Sequence, residues 1–133
     1  MKKYIKTSII RNLLDEDMET LTNLASTSTN PRVLSQLASM DDTDIRCRVA
    51  ANPATPANIL KQVVDWEHMS TVVNVIMNPS TPTEILKEII DVVKTDANMP
   101  IYLKLEFTVR ILEHPNADDR LRDECAYRIR TYR

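Results

Sequence analysis

The sequence predicts an all-α fold in which short helices pair and the pairs stack as an α-solenoid of about four repeats. Three observations predict it. Residues 52–60 return 26 residues later as residues 78–86, with six of nine positions identical and no gap. Apolar residues recur at helical spacing, and no segment alternates as a strand does. The chain contains seven prolines and no glycine, so proline is the residue available to end helices. A fixed period of this length is typical of a solenoid, whose units bury their apolar faces against one another.

Composition favours one soluble domain spanning residues 1–133, with 43% hydrophobic and 27% charged residues. No apolar run approaches the length of a membrane span, and the basic start lacks the apolar core of a secretory signal. The two cysteines, Cys47 and Cys125, are too few for a disulfide framework or a metal cluster. We therefore expect a cytoplasmic protein with reduced thiols, no metal and no cofactor.

The first helices are expected at the N-terminus and in a degenerate first repeat. Residues 1–14 carry apolar side chains at helical spacing and belong to no repeat, so they are predicted to form a helix that caps one open end. In the first repeat, Leu21 and Leu24 mark one helix. Asn30-Pro31 is predicted to end that helix before another begins at Val33.

The second repeat is the clearest. One of residues 41–43 caps a helix over residues 45–51, which ends before Pro53. Thr55 is expected to cap the next helix, with Pro56 at its first position. The predicted buried stripe of that helix is Ile59, Leu60, Val63 and Val64.

The third repeat copies the second. Its first helix is predicted from Met69, Val72, Val73 and Ile76. Thr81 and Glu84 have the spacing of a capping box at the start of its second helix. The predicted buried stripe of that second helix is Ile85, Leu86, Ile89, Ile90 and Val93.

The period then lengthens, since 36 residues separate Asn78 from His114. We expect the ten extra residues, placed around residues 94–101, to form a longer loop and a longer helix through Leu105, Val109 and Leu112. A last helix beginning at Asn116 or Asp118 is predicted to form the C-terminal cap, residues 116–133.

The second repeat carries a family resemblance. Residues 45–56, Ile-Arg-Cys-Arg-Val-Ala-Ala-Asn-Pro-Ala-Thr-Pro, followed by Ile59-Leu60, resemble the unit of the leucine-rich repeat variant family, a HEAT-like α-solenoid. The resemblance covers residues 19–122, although the period here is slightly longer than the family's. It implies a right-handed superhelix in which α-helices alternate with shorter, sometimes 3₁₀, helices. A family member holds an iron–sulfur centre on cysteines ahead of its repeats, but no cysteine precedes the repeats here.

The repeated turns supply one group of candidate residues. Asn52, Asn78 and His114 occupy equivalent slots, where a side chain that hydrogen-bonds the backbone would form a ladder between repeats; a ligand contact is the alternative. The full set assigned to the turns is Asn52, Pro53, Thr55, Pro56, Asn78, Pro79, Thr81, Pro82, His114 and Pro115.

A second group consists of Arg46, Arg48, Asn74 and Arg110. Arg48, Asn74 and Arg110 share one repeat position. Because the apolar face of the second-repeat helix includes Ile45, both of its arginines should point away from the core. Stacked positions form a ridge, which is either a solvated face or a partner-binding surface, and arginine suits carboxylate or phosphate.

These features favour a non-catalytic protein–protein interaction module. No local signature of a catalytic triad or a metal-ligand set is present, so no catalytic residue is predicted. Nucleic-acid binding is the alternative, because both ends of the chain are basic and Tyr127 and Tyr132 lie among arginines. The region between the ends opposes it, with 8 basic against 17 acidic residues in 13–119. Trp66 either fills a gap between helices or is an exposed contact residue. The oligomeric state is open.

Overall fold

The computed structural model describes residues 18–132, which are all-α: eight helices and no strand lie within that range. They divide into two compact units, unit 1 before residue 81 and unit 2 from residue 81 onward. The single solenoid domain over 1–133 stays a prediction. The helix predicted over residues 1–14 lies outside the described residues. Unit 1 contains α1 (Met18–Thr27), α2 (Pro31–Ala38), α3 (Thr43–Ala51), α4 (Ala57–Val63) and α5 (Met69–Met77). Unit 2 contains α6 (Thr83–Thr95), α7 (Ile101–Leu112) and α8 (Asp119–Thr131).

In unit 1, helices at corresponding repeat positions pack against each other. Helix α3 packs against both α1 and α5, and α2 packs against α4. The core between them is made of aliphatic side chains spaced at helical intervals, each fully removed from water. Burial of one such side chain stabilises the fold by about 1.5–3 kcal/mol. The largest of them are Leu21, Leu34, Leu37, Ile45, Leu60 and Ile76.

The proline corners end helices where the sequence predicts. Helix α3 stops at Ala51 before Asn52-Pro53, and α5 stops at Met77 before Asn78-Pro79. Of the three candidates left open for the cap of α3, Asp42 occupies the position, since its carboxylate accepts from the Ile45 amide at 3.0 Å. These local rules held because each depends on the backbone geometry of one residue.

The first repeat departs from its prediction. Asn30 does not end α1, which stops at Thr27. Instead, Asn30 caps α2: its Oδ1 accepts from the Arg32 amide at 2.9 Å, and Pro31 is the first helical residue. A proline has no N–H to lose at that position, so Asn-Pro starts this helix rather than ending the one before it.

Both threonine caps predicted after the corners are wrong. Helix α4 begins at Ala57 with Pro56 in the capping position and no side-chain cap. Thr55 turns back and donates its hydroxyl to the Val49 carbonyl at 2.7 Å, which gives this end carbonyl of α3 a second hydrogen bond beside that from the Asn52 amide. Helix α6 likewise begins at Thr83, after Pro82, without a side-chain cap, so the capping box is absent.

Unit 2 shows where the period lengthens. Helix α6 has 13 residues against 7 in α4, and α7 has 12 against 9 in α5. The loops before α5 and α7 have the same length. The longer helix was therefore predicted correctly and the longer loop was wrong.

Helix α7 passes through Leu105, Val109 and Leu112, as predicted, and all three are half-buried. Its buried residues are Phe107, Thr108 and Ile111. Phe107 is the bulkiest fully buried side chain of the described residues. The five predicted apolar residues of α6 are all buried. Helix α8 begins after Asp118, whose carboxylate caps the Leu121 amide at 2.8 Å.

None of the helices within residues 18–132 has both the length and the apolar composition required to span a membrane.

Candidate interaction surface

Two buried asparagines clamp successive helix ends in unit 1. The Asn52 amide group donates to the carbonyls of Ala25 and Ser28, at 3.0 and 2.9 Å, near the end of α1. Its Oδ1 accepts from the amide of Ala54 at 2.9 Å. One side chain thus bonds a carbonyl in the last turn of α1 and the carbonyl of the residue just after that helix, while it shapes its own turn.

Asn78 repeats this arrangement one repeat later. Its amide group donates to the carbonyls of Ala50 and Asn52 at 2.8 and 3.0 Å, and its Oδ1 accepts from the Ser80 amide at 2.9 Å. Asn78 is 1% exposed, so these bonds form out of water, where an unmade bond is costly. The two asparagines connect the C-terminal ends of α1, α3 and α5 in sequence.

His114, in unit 2, makes one of these contacts, the hydrogen bond accepted from the amide two residues ahead. It is buried, and its Nδ1 accepts from the Asn116 amide at 2.9 Å. Each of the three side chains therefore accepts from the amide two residues ahead. A ring nitrogen that accepts is unprotonated, so this contact fixes the proton of neutral His114 on Nε2.

A polar surface, defined here by Ser26, Asp44, Arg48, Ser70 and Asn74, crosses α1, α3 and α5. The Arg48 side chain is 46% exposed; its Nε lies 3.3 Å from Asp44 Oδ2 and its Nη1 3.5 Å from Ser26 Oγ. Asn74 donates to the Cys47 carbonyl at 3.1 Å, and the Cys47 thiol donates to Ser70 at 3.2 Å. The structure thus brings Arg48 and Asn74 onto adjacent helices, both held by neighbours.

Arg46 does not project into solvent as expected. Its side chain is only 17% exposed; Nη1 donates to the Met40 carbonyl at 3.3 Å and lies 3.9 Å from Asp41 Oδ1. Nη2 lies 3.6 Å from Asp65 Oδ2, while the buried Nε lacks a hydrogen-bond partner among the described residues. Because Arg46 follows buried Ile45, it sits at the edge of the apolar face, where the loop after α4 covers it.

That loop is organised by Asp65, a residue that the sequence analysis did not single out. Its carboxylate contacts His68 Nδ1 at 2.9 Å and accepts from the Glu67 amide at 3.0 Å. The Thr71 hydroxyl accepts from the Asp65 amide at 3.0 Å. Hydrogen bonding to His68 and then to Glu67, with a smaller effect of the nearby Arg46 charge, lowers the pKa of Asp65. An aspartate three residues before a histidine, which itself lies three residues before a threonine at the start of a helix, is the local signal for this cluster.

Arg110 lies in unit 2, on α7, while the other three residues of the predicted ridge lie in unit 1. Its side chain is 36% exposed and its Nη2 is 3.6 Å from Glu106 Oε1, one turn away. A carboxylate on the same helix therefore accompanies Arg110, as Asp44 accompanies Arg48.

The aromatic candidates fall in different environments. Trp66 is half-buried in the loop before α5. Tyr127 is 53% exposed, and the Arg128 guanidinium lies 5.6 Å from its ring centre. Tyr132 is tied to α7 through a 3.1 Å hydrogen bond between its hydroxyl and that of Thr108. Tyr127 is thus the aromatic residue of α8 that is available to a partner.

Unit 2 also holds a charged cluster between α6 and α8. Lys94 Nζ lies 2.7 Å from Glu124 Oε2 and 3.1 Å from Asp91 Oδ1. Hydrogen bonding to these two carboxylates, Glu124 first, raises the pKa of Lys94. Burial, together with the Glu124 charge, raises the pKa of the Cys125 thiol to about 11, so this thiol is protonated at neutral pH and unreactive as a nucleophile.

A second surface feature of unit 1 is a groove of about 330 Å³ between α2 and α4. It is lined by Pro31, Arg32, Ser35, Gln36, Pro56, Asn58 and Ile59. This groove was not among the predicted sites, although Arg32 and Asn58 are separated by the same 26 residues as the repeated turns. Within residues 18–132, no group of three or more histidine, cysteine or carboxylate side chains is placed to hold a metal ion.

Comparison of the chain with protein-family models, with curated proteins and with solved structures finds no match in any of the three.

Proposed function

We propose that this chain is a non-catalytic protein-binding module, built as an α-solenoid of the leucine-rich repeat variant type. Two features of unit 1 support the repeat architecture. Helices at corresponding positions pack against each other. One repeat apart, Asn52 and Asn78 each donate to two carbonyls and accept from the amide two residues ahead. A stack of this kind presents equivalent side chains in rows, and repeat proteins use such extended surfaces for binding.

We place the partner on the polar surface. The observation that carries this proposal is the exposure and orientation of the Arg48 guanidinium. Its guanidinium is half-exposed yet oriented by Asp44 and Ser26. An oriented guanidinium keeps N–H groups for a carboxylate while less side-chain entropy is lost on binding. Asn74 supports the surface from α5. Arg46 acts indirectly in this proposal by holding the loop at Asp65, and Arg110 is the predicted contact of unit 2.

Affinity capture from the host organism, with partners identified by mass spectrometry and then purified, tests this function. Arg48→Glu should weaken binding of the purified partner at least tenfold, because it places a carboxylate beside Asp44 and opposite the partner's acidic group. Arg120→Glu is the matched control, since Arg120 is exposed on α8 and outside the polar surface. Equal affinity of the wild-type protein and the Arg48→Glu variant would reject the polar surface as the binding site.

Nucleic-acid binding is the second candidate, and the end of α8 favours it. Exposed Tyr127 lies next to Arg128, and Arg130 is also exposed, a combination that suits base stacking beside phosphate contacts. The carboxylates beside Arg48 and Arg110 oppose it, because they reduce the positive potential available to a phosphate backbone. Fluorescence anisotropy with a labelled 20-nucleotide single strand, across a salt series, decides between the two candidates. Micromolar binding at low salt that Tyr127→Ala abolishes would favour the second.

A further inference from the structure

The groove between α2 and α4 differs from the polar surface in its charge. Among the described residues, Arg32 is the only charged one that lines it, and Arg32 is exposed. Within residues 18–132, the Arg32 guanidinium makes no ion pair or hydrogen bond, whereas Arg46, Arg48 and Arg110 each have a carboxylate within 4 Å. The groove therefore carries a positive charge that no described neighbour neutralises.

The other lining groups are suited to a peptide backbone. Ser35 and Gln36 follow Arg32 on the same face of α2, one turn along, and Asn58 faces them from α4. A carboxamide has both a donor and an acceptor, so Gln36 and Asn58 are each able to pair with the N–H or the C=O of an extended chain. Pro31 and Pro56 add apolar surface, and the buried Ile59 contributes to the floor.

The repeat also sets the distance between equivalent residues on α2 and α4. Arg32 and Asn58 are equivalent residues of neighbouring repeats, on helices that pack against each other. Packed helices are separated by roughly 8–10 Å. Three residues of an extended polyproline-type chain span about 9 Å. An extended segment lying across α2 and α4 would therefore present residues three apart to Arg32 and Asn58.

We infer that the groove between α2 and α4 binds an extended acidic peptide segment of a partner protein. A carboxylate of that segment pairs with Arg32, while Gln36 and Asn58 hold its backbone. This inference rests on the proposed protein-binding function and adds a site, separate from the polar surface, that takes a linear rather than a folded epitope.

The experiment uses a phage library of random 12-residue linear peptides selected on the full-length protein. Selected peptides are synthesised with a fluorescein label and titrated by fluorescence anisotropy. We expect them to be enriched in aspartate and glutamate. Arg32→Glu should weaken their binding at least tenfold, and replacing the acidic residues of a selected peptide by lysine should restore affinity for that variant but not for wild type. Thermal unfolding checks that Arg32→Glu remains folded.

Arg48→Glu is the control that separates this site from the polar surface, and it should bind the selected peptides as wild type does. Peptides that keep their affinity for Arg32→Glu, or a selection that yields no binding peptide, would overturn the groove as a binding site. A folded partner whose binding is lost with Arg48→Glu would still support the proposed function in that case. Peptides that depend on Arg48 instead would overturn the groove and place linear epitopes on the polar surface.

Discussion

Replacing Asn78 tests the physical basis of the stacked repeats in unit 1. Asn78→Ala removes two donated hydrogen bonds to buried carbonyls and one accepted from the Ser80 amide. Each bond contributes about 0.5–1.5 kcal/mol, and the buried Ala50 carbonyl left behind adds a further cost, while the Asn52 carbonyl keeps its bond from the Thr55 amide. We therefore expect the free energy of unfolding to fall by about 2–4 kcal/mol. For a chain of this size, that is a fall of roughly 8–16 °C in melting temperature.

The Asn78→Asp variant separates the effect of the lost hydrogen bonds on stability from the effect of a changed side-chain shape. The introduced carboxylate has nearly the same shape and still accepts from Ser80, but it has no donor for the carbonyls of Ala50 and Asn52. It also buries a charge against two carbonyl dipoles, so at neutral pH it should destabilise at least as much as Asn78→Ala. Protonation restores one donor, so the deficit relative to wild type should shrink as the pH falls.

Urea unfolding followed by the fluorescence of Trp66, the sole tryptophan, measures these effects within unit 1. Asn23→Ala is the matched control, because Asn23 is exposed on α1; it should change the free energy of unfolding by less than about 0.5 kcal/mol. If Asn78→Asp unfolded at the same urea concentration as wild type, the two donated bonds would not hold α3 and α5 together, and the reasoning would fail.

Three further predictions concern ionisable groups. Because the pKa of Asp65 is lowered in the folded protein, its charge stabilises the fold at pH values above the unfolded pKa. Wild type should therefore have a higher melting temperature than Asp65→Asn at neutral pH, and the difference should shrink as the pH falls below about 4. Melting temperatures measured across a pH series check this. Lys94→Met should lower the free energy of unfolding by about 1 kcal/mol, because the contact with Glu124 is lost. Added salt should change the free energy of unfolding of the variant less than that of wild type, which urea unfolding at two ionic strengths measures. Cys125 is buried with a pKa of about 11, so Ellman's reagent should modify half-exposed Cys47 and leave Cys125 unmodified until denaturant is added; equal rates in the native protein would contradict its burial.

The proline corners and the apolar stripes were predictable because both depend on local rules. Proline disfavours helical backbone angles in the residue before it through a local steric clash, so the ends of α3 and α5 could be predicted from Pro53 and Pro79. The stripe on α6, from Ile85 to Val93, followed from helical periodicity and the length of the apolar run.

The sequence-based predictions were wrong where two backbone groups compete for one side chain, or where a segment distant in the chain determines whether a side chain is exposed. Thr55 was expected to cap the helix after it, but the Val49 carbonyl near the end of α3, which also accepts from the Asn52 amide, takes its hydroxyl. The exposure of Arg46 depends on a loop 19 residues away in the chain, at Asp65. The groove at Arg32 exists only because α2 and α4 are neighbours in unit 1. Helical periodicity predicts the two helices but not that they pack against each other.

Site-specific photo-crosslinking tests the central claim most directly. A benzophenone amino acid at exposed Ala51, which follows Arg48 by one turn on α3, should crosslink a protein partner in the host. The same group at exposed Asp123 on α8 should crosslink it far less. Crosslinks to nucleic acid, or a protein captured equally from both positions, would contradict a protein-binding polar surface on α1, α3 and α5.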